Sequence, residues 1–251
     1  MDFLNQYAWI GALLFARLAA VLMVAPGWGE QAAPPSLRLG LAVLVTATLA
    51  PSLAATSPRL PASIVMAIPM ILSEIMIGII LGLGARIMMS ALQVAGATAG
   101  IASGLGFAQQ IDPIASQPAA IFSGFFSLMG VVLLMSAGLH RVMIEAAADS
   151  YKLFPPGAFP PMGDATEFMI EAVSSSFKLG IQIAAPVLIF SLVFNIALGL
   201  VSRLIPQVQV FMTAMPLSVL MGIALIALGL GGGMMVWLEA MQTQMRLFTV
   251  Q

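Results

Sequence analysis

The sequence predicts an all-α, polytopic integral membrane protein with about six apolar helical segments. Hydrophobic residues make up 61% of the chain and charged residues only 8%, against roughly 25% charged residues in soluble domains. Several charge-free apolar runs approach or exceed the roughly 20 residues that a helix needs to cross the hydrocarbon core of a bilayer. Proline and glycine inside these runs predict that several of the helices are kinked or broken.

The composition also excludes several classes of function. The chain has no cysteine and a single histidine, His140, which argues against disulfides, thiolate metal sites and a histidine-based zinc site. A formal net charge of −1 provides no basic surface for nucleic acid. No hydrophilic block marks a second domain, so we expect residues 1–251 to form a single membrane domain. The first residues lack the positive region of a signal peptide, and we expect the first apolar run to be retained.

Two charges lie inside the first three apolar runs. These runs cover residues 7–28, 39–55 and 60–85. Arg17 interrupts the first run and Glu74 the third, and a charge near the middle of a membrane helix costs roughly 2.5–3.5 kcal/mol on insertion scales. We therefore expect Arg17 to face a partner or water, most simply a carboxylate inside the helix bundle or the interface that a snorkelling side chain reaches. Gly78 and Gly82 give the third run a small-residue face for close helix packing.

A stretch of small and polar residues, 96–118, follows the run that begins after Arg86. Its first half predicts a packing face on a helix, because glycine recurs at every fourth residue. These glycines are Gly96, Gly100 and Gly104. Its second half, 106–113, carries two amides and one carboxylate, and Asp112-Pro113 at its end predicts a turn.

A spanning helix and a polar region come next. Residues 119–139 are the most conventional spanning candidate of the chain. Residues 140–171 contain the densest cluster of charges and predict the largest solvent-facing loop, with a helix over 141–154 and a proline-rich turn that ends it.

Two long apolar runs, 179–202 and 204–238, complete the pattern. The second run would be about 52 Å long as a straight helix, against a hydrocarbon core of about 30 Å. It therefore either breaks or does not lie in lipid over its whole length. Break points are offered by Pro206, Pro216 and the glycines of 229–233.

No motif predicts catalysis, a cofactor or a metal site. The glycine-rich residues 229–233 lack the Lys and Ser/Thr of a P-loop, and no serine has a Gly-x-Ser-x-Gly setting. Glu74, Asp112 and Glu145 are candidates for a proton or cation relay, because intramembrane carboxylates are often functional. Against this, Asp112 precedes a proline, where a carboxylate commonly shapes a turn, and Glu145 lies at the edge of the polar region.

Three segments carry motifs of a known family. Residues 104–113 read Gly-Leu-Gly-Phe-Ala-Gln-Gln-Ile-Asp-Pro, and residues 195–207 contain Asn-x-Ala-Leu-Gly followed by Arg-x-x-Pro-Gln. The third motif is Pro216-Leu217 followed by an apolar run with Gly222. Together they resemble the FliR family, the R components of the flagellar type III export gate, and the likeness covers essentially the whole chain. The Arg-x-x-Pro-Gln motif between two membrane segments is the most specific of the three.

The resemblance implies a non-enzymatic role in protein export. Members of the family assemble with P and Q components into a helical ring in the bacterial inner (cytoplasmic) membrane, at the flagellar basal body. The A and B export components join this ring, and unfolded flagellar proteins pass through it.

The resemblance also assigns roles to particular residues. The family's segment matching 106–118 plugs the channel until a substrate displaces it. This assigns the plug to Gly106, Phe107, Gln109, Gln110, Ile111, Asp112 and Pro113. The two glutamines make this plug more polar than an apolar seal. Contacts to neighbouring subunits are expected from Asn195, Arg203, Pro206, Gln207 and Pro216. For Arg203 and Gln207 this expectation rests on their polarity inside an apolar hairpin.

Three alternatives remain at this point. The first is the homologous export-gate subunit of a virulence injectisome, although the Phe-Ala…Asp-Pro form of the loop favours the flagellar branch. The second is an ion-coupled transporter of small solutes with Arg17 and Glu74 as its intramembrane charges. The third is a membrane scaffold whose loop has no gating role.

Overall fold

The computed structural model describes residues 2–27, 34–53, 58–105, 118–204 and 210–247. Every regular element within these ranges is helical, which confirms the all-α prediction. The α-helices of the described chain are α1 (Asp2–Val24), α2 (Pro35–Leu53), α3 (Ile64–Gly100), α4 (Pro118–Ser136), α5 (Leu139–Leu153), α6 (Met162–Leu204) and α7 (Val210–Arg246). One π-helical turn, Ile101–Leu105, follows α3 directly and is called the π segment.

The long helices match the predicted membrane segments. In the described ranges, five are long and apolar enough to cross a membrane, namely α1, α2, α3 with the π segment, α6 and α7. The shorter helices α4 and α5 are joined at a bend of 71° and together would form a sixth span. The prediction of about six apolar helical segments is therefore confirmed.

The chain divides into two compact units. Unit 1 contains residues 1–87, 134–173 and 241–251, and unit 2 contains residues 88–133 and 174–240. In unit 1, α1 packs along α2, and Ile10 and Leu14 of α1 meet Tyr151 of α5 in a buried cluster. In unit 2, the fully buried indole of Trp237 donates its Nε1–H to the carbonyl oxygen of Met88 at 3.0 Å.

The predicted boundary at Arg86 is wrong. The run 60–85 and the residues that follow Arg86 belong to one helix from Ile64 to Gly100, with Pro69 inside it. Arg86 is exposed, so its charge is not buried by continuing the helix. Because arginine is also a good helix former, nothing at this position stops the helix.

The polar region 140–171 is mostly helical and is not one large solvent-facing loop. The helix predicted over 141–154 is confirmed as α5, and α6 begins at Met162, so only residues 154–161 connect the two helices. One face of α5 is buried, including Met143, Ser150 and Tyr151. Its charges lie at other positions, and an amphipathic helix of this kind resembles a loop in composition alone.

Two of the break points offered in the last apolar run, Pro216 and the glycines of 229–233, do not break the helix. α7 is continuous from Val210 to Arg246, through Pro216 and the glycines of 229–233, while Pro206 lies outside the described residues. Glycine lowers helix stability by about 1 kcal/mol but does not end a helix by itself. The chain turns instead at Gly104 and Gly138, whose φ angles are 89° and 74°. Glycine adopts this left-handed conformation without the steric cost of a side chain.

Candidate functional site

Arg17 and Glu74 form an ion pair inside unit 1, and neither side chain has any exposed surface. Arg17 Nε donates to Glu74 Oε2 at 2.7 Å, and Arg17 Nη2 donates to Glu74 Oε1 at 3.2 Å. The planar guanidinium thus meets the carboxylate with two parallel hydrogen bonds, the strongest form of this interaction. The pairing of Arg17 with a carboxylate inside the bundle is the simpler of the outcomes expected from the sequence.

The same two side chains reach α5 and the turn that follows it. Arg17 Nη1 donates to Ser150 Oγ at 3.1 Å, and Nη2 donates to the Phe154 carbonyl oxygen at 3.0 Å. The guanidinium carbon lies 3.9 Å from the centroid of the Tyr151 ring, a cation–π contact. Glu74 Oε1 accepts a further hydrogen bond from the Gly157 N–H at 2.6 Å. We call this group the clasp. Its members are Arg17, Glu74, Ser150, Tyr151, Phe154 and Gly157.

Glycines of α3 allow the close approach that brings the ion pair together. A Cβ atom on Gly78, one turn after Glu74, would lie 2.5 Å from the carbonyl oxygen of Arg17 and 2.7 Å from Ala20 Cβ. A Cβ atom on Gly82 would lie 2.9 Å from Val24 Cβ. Because real Cβ atoms do not tolerate such distances, only glycine permits α1 and α3 to pack at this separation.

The charged atoms of Arg17 and Glu74 all have hydrogen-bond partners within the clasp. Both carboxylate oxygens of Glu74 and all three nitrogens of Arg17 take part in hydrogen bonds within unit 1. A buried charge pair with satisfied hydrogen bonds is the arrangement that protein interiors tolerate. The arrangement therefore gives a transported cation or solute no free oxygen of Glu74, which argues against the relay role considered for this residue.

Of the two other carboxylates considered for that relay, only Glu145 lies in the described residues, and it does not join the clasp. Glu145 is exposed on α5, and Asp112 lies outside the described residues. Across the part of the chain that the structure describes, no group of three or more His, Asp or Glu side chains could hold a metal ion.

A second region of interest is the π segment in unit 2. Ser103 is fully buried, and its hydroxyl donates to the carbonyl oxygen of Gly100 at 2.8 Å. The hydroxyl of Ser218 on α7 approaches the Ser103 carbonyl oxygen at 3.4 Å. A Cβ atom on Gly222 would lie 2.9 Å from the Cα atom of Ser103. The π segment thus packs with its backbone directly against α7, immediately before residues 106–117.

The family of the chain follows from its full-length sequence. The profile of bacterial export proteins, family 1, matches residues 8–244. The chain belongs to this family. It is 38% identical to the flagellar biosynthetic protein FliR of Caulobacter vibrioides over 96% of both chains. It is 31% identical to FliR of Escherichia coli, over 90% of this chain and 85% of the relative. FliR of Aquifex aeolicus is 32% identical, over 87% and 84% respectively.

The plug residues predicted from the export family lie outside the described residues. This holds for Gly106, Phe107, Gln109, Gln110, Ile111, Asp112 and Pro113, and equally for Pro206 and Gln207 of the expected subunit contact. Their roles in the export protein remain predictions.

Three residues of the expected subunit contact lie on described helices. Asn195 and Arg203 are exposed on α6, and Pro216 is exposed on α7. The Asn195 side chain donates to Ser191 Oγ at 3.2 Å, within its own helix. The second half of α6 also exposes a series of large apolar side chains, namely Ile189, Leu192, Val193, Ile196, Leu200, Val201 and Leu204.

The glycines of the 96–104 face have different surroundings. A Cβ atom on Gly96 would lie 2.6 Å from the Phe122 carbonyl oxygen of α4 and from Ser123 Cα, and Gly100 is buried. Gly104 does not continue the helical face. It lies in the π segment, and its backbone there is left-handed and not helical. Its φ of 89° and its place before residues 106–117 give it a conformational role in addition to its small size.

Sequence reasoning missed the partners of the ion pair. Ser150, Tyr151, Phe154 and Gly157 were part of a region predicted to face solvent. The sequence signal for such partners was that Arg17 and Glu74 are charged residues inside apolar runs, where each needs groups that compensate its charge. Two of their partners are backbone groups, however, and the sequence carries no residue-type signal for a backbone acceptor or donor.

Proposed function

We propose that this chain is a non-enzymatic subunit of the flagellar protein export gate in the bacterial inner membrane, at the basal body. The observation that carries the proposal is the likeness to FliR proteins along nearly the entire length of both chains. The five or six apolar spans support an integral membrane position. The relatives carry flagellar names, which favours this branch over the virulence injectisome.

The proposed partners are the P and Q components, in a helical ring that the A and B components join and through which unfolded flagellar proteins pass. The single export-gate domain would then have part of its apolar surface covered by sister subunits and part by membrane lipid. The exposed apolar side chains on the second half of α6 support such a covering, because exposed apolar patches of this extent mark protein or membrane contacts.

The test of assembly is co-expression with candidate P and Q chains, followed by native mass measurement. We expect a stable complex that contains this chain together with both partners. Purification of the chain only as a lone monomer, under conditions where P and Q themselves assemble, would contradict the proposal.

The subunit contact is tested by reversing a charge on α6. We expect Arg203→Glu to reduce co-purification of P and Q by about tenfold or more, because truncating or reversing an interface charge commonly costs 2–5 kcal/mol. Lys178→Glu is the matched control, since Lys178 is an exposed cation of the same helix outside the FliR-like motif. Equal loss in both variants would indicate a general charge effect and would remove Arg203 from its assigned contact.

Residues 106–118 are proposed as the channel plug of the gate. Support comes from the π segment before them, which has a left-handed glycine and a backbone packed on α7. π-Helical turns occur frequently at functional sites. Deletion of Gly106 to Pro113 is expected to increase ion leak across the membrane while the complex still assembles. Normal assembly without added leak would show that this segment is not the seal.

A point substitution tests the same proposal with less disruption. Gly104→Ala places a Cβ atom at a φ of 89° and 3.1 Å from Ser218 Oγ, and an L-residue in this conformation is strained by about 1–2 kcal/mol. We expect a leak between those of the wild type and the deletion. Gly124→Ala on α4 is the control, because no heavy atom lies within 4 Å of the added carbon.

A further inference from the structure

The clasp gathers segments that are far apart in the sequence. The hydrogen bonds of Arg17 reach 57 residues to Glu74, 133 residues to Ser150 and 137 residues to Phe154. Glu74 reaches 83 residues to Gly157. Each bond of the clasp therefore needs two distant segments close to their final positions, and the complete clasp needs α1, α3 and the end of α5 together.

Two of these bonds end on the backbone of residues 154–157, the first half of the connection between α5 and α6, which we call the α5–α6 turn. A helix leaves its last carbonyl groups without partners inside the helix, and here the carbonyl of Phe154, the residue after α5, accepts from Arg17. Three residues later the Gly157 N–H donates to Glu74. The turn is thus held at each end through a backbone group, the Phe154 carbonyl and the Gly157 N–H. Each of these groups bonds to a different charged side chain.

The position of the turn determines its packing against α3 and the shape of a neighbouring cavity. Gly157 has a φ of 80°, and a Cβ atom there would lie 2.7 Å from Met70 Cε on α3. Phe154 also lines an apolar cavity of about 180 Å³ in unit 1, together with Ile77, Pro160 and Phe168. Movement of the turn would change both this packing and the wall of the cavity.

We propose that Arg17 and Glu74 are positioning residues for the α5–α6 turn, and that each holds a different end of it. Arg17 fixes the Phe154 end, because its planar fork can bond Glu74, Ser150 and the Phe154 carbonyl at the same time. Glu74 fixes the Gly157 end. The proposal gives a role to the two charged side chains that are buried in the described part of the chain, and it stands independently of the export function.

The first test is Arg17→Lys in the full-length chain, purified in detergent. Lysine keeps the positive charge beside Glu74 but cannot reproduce the fork. We expect hydrogen exchange at the Gly157 amide to stay within about twofold of the wild type, because Glu74 still accepts its hydrogen bond. Trypsin cleavage after Lys152, the exposed residue next to the end of α5, should accelerate about fivefold or more, because cleavage reports local opening.

The second test is the apolar pair Arg17→Met with Glu74→Leu. Replacing both members of a buried ion pair by apolar residues of similar volume is often neutral or stabilising, so the double variant should accumulate to within about twofold of the wild type. Exchange at the Gly157 amide should accelerate about tenfold, the factor expected for losing one charge-assisted hydrogen bond. Cleavage after Lys152 should accelerate as well.

Cleavage after Lys178, an exposed residue of unit 2 outside the proposed subunit contact, is the internal reference and should not change. Unchanged cleavage after Lys152 in Arg17→Lys would overturn the positioning role of Arg17. Unchanged Gly157 exchange in the double variant would overturn that of Glu74. Parallel acceleration at Lys178 would show general loosening and would overturn both. If the double variant fails to accumulate, Arg17→Lys still decides the role of Arg17. The role of Glu74 is then decided by Glu74→Gln, whose neutral amide accepts a weaker hydrogen bond from Gly157: exchange at the Gly157 amide should accelerate more than about twofold, and an unchanged rate would overturn that role.

Discussion

The two compact units hold distant segments together by different means. In unit 1, the clasp joins α1, α3 and the α5–α6 turn through a buried ion pair and charge-assisted hydrogen bonds. In the described part of unit 2, the charged side chains, Lys178, Arg203 and Glu239, are all exposed. There the close contacts are made by glycines against backbone and by neutral hydrogen bonds such as that of Trp237.

This difference predicts which kind of substitution destabilises each unit. A buried ion pair is vulnerable to the loss of one partner, since the remaining charge is left without compensation. A backbone contact at glycine is vulnerable to added volume, since close-packed interiors have no room for an extra carbon. Unit 1 should therefore be sensitive to removal of charge and, at Gly78, also to an added methyl group. The described part of unit 2, which buries no charged side chain, should be sensitive to an added methyl group but not to removal of charge.

The largest effect is expected from breaking the ion pair on one side. Glu74→Leu leaves the guanidinium of Arg17 buried without its carboxylate and should lower the free energy of unfolding by about 3–5 kcal/mol. Thermal unfolding of the purified complex in detergent measures it, with Leu72→Ala, at a half-exposed site of the same helix, as the control. A loss no larger than that of the control would remove the distinction between the units.

A smaller loss is expected from a single added carbon in unit 2. Gly96→Ala places a Cβ atom 2.6 Å from backbone atoms of α4, and overpacking of this kind costs about 1–3 kcal/mol. Gly229→Ala is the matched control on α7, where no heavy atom lies within 4 Å, and it should be neutral or slightly stabilising, because alanine is the better helix former. Comparison of the two unfolding midpoints checks the prediction, which similar midpoints would contradict.

The neutral hydrogen bond of unit 2 should contribute less than the clasp. Trp237→Phe removes the donor to the Met88 carbonyl oxygen and part of a fully buried ring. We expect a loss of about 1–2 kcal/mol in the free energy of unfolding. A loss equal to that of Glu74→Leu, measured in the same detergent, would show that unit 2 depends on polar contacts as strongly as unit 1.

The smallest effect is expected from an exposed ion pair of unit 1. Lys152 and Asp149 are 2.6 Å apart on α5, and the lysine side chain is 61% exposed. Exposed pairs contribute little because water and salt screen them, so Lys152→Ala should change the free energy of unfolding by less than about 0.5 kcal/mol. A loss of several kcal/mol would mean that charge pairing in unit 1 matters regardless of burial.

The helices themselves were largely predictable from the sequence. Apolar runs and the scarcity of charge predict membrane helices because the bilayer requires every backbone group to be paired internally. The helix boundaries were less predictable, because a charged residue or a proline can either end a helix or lie inside one. Arg86 interrupts an apolar run without ending α3, and Pro216 lies inside α7 without ending it. Gly104 and Gly138 end helices because of their backbone conformation, which composition does not reveal.

The clasp was predictable only in part. The energetic cost of Arg17 in an apolar run predicts that it has a partner, and an intramembrane carboxylate is the natural one. The identity of the remaining partners depends on tertiary structure, since the Phe154 carbonyl and the Gly157 N–H are groups that almost every residue possesses. For the same reason the contact between Ser103 and Gly222 could not be derived from the Gly-x-x-x-Gly pattern of 96–104.

The clasp also has an electrical consequence. A membrane potential does work only on charge that it displaces, about 2.3 kcal/mol per elementary charge for each 100 mV. Arg17 and Glu74 carry opposite charges whose bonded atoms are 2.7 Å apart. Any rearrangement that moves α1 and α3 together therefore displaces no net charge through this pair. The two buried charges are therefore held as a neutral pair, on which voltage does no net work as long as the pair moves as a unit without rotating.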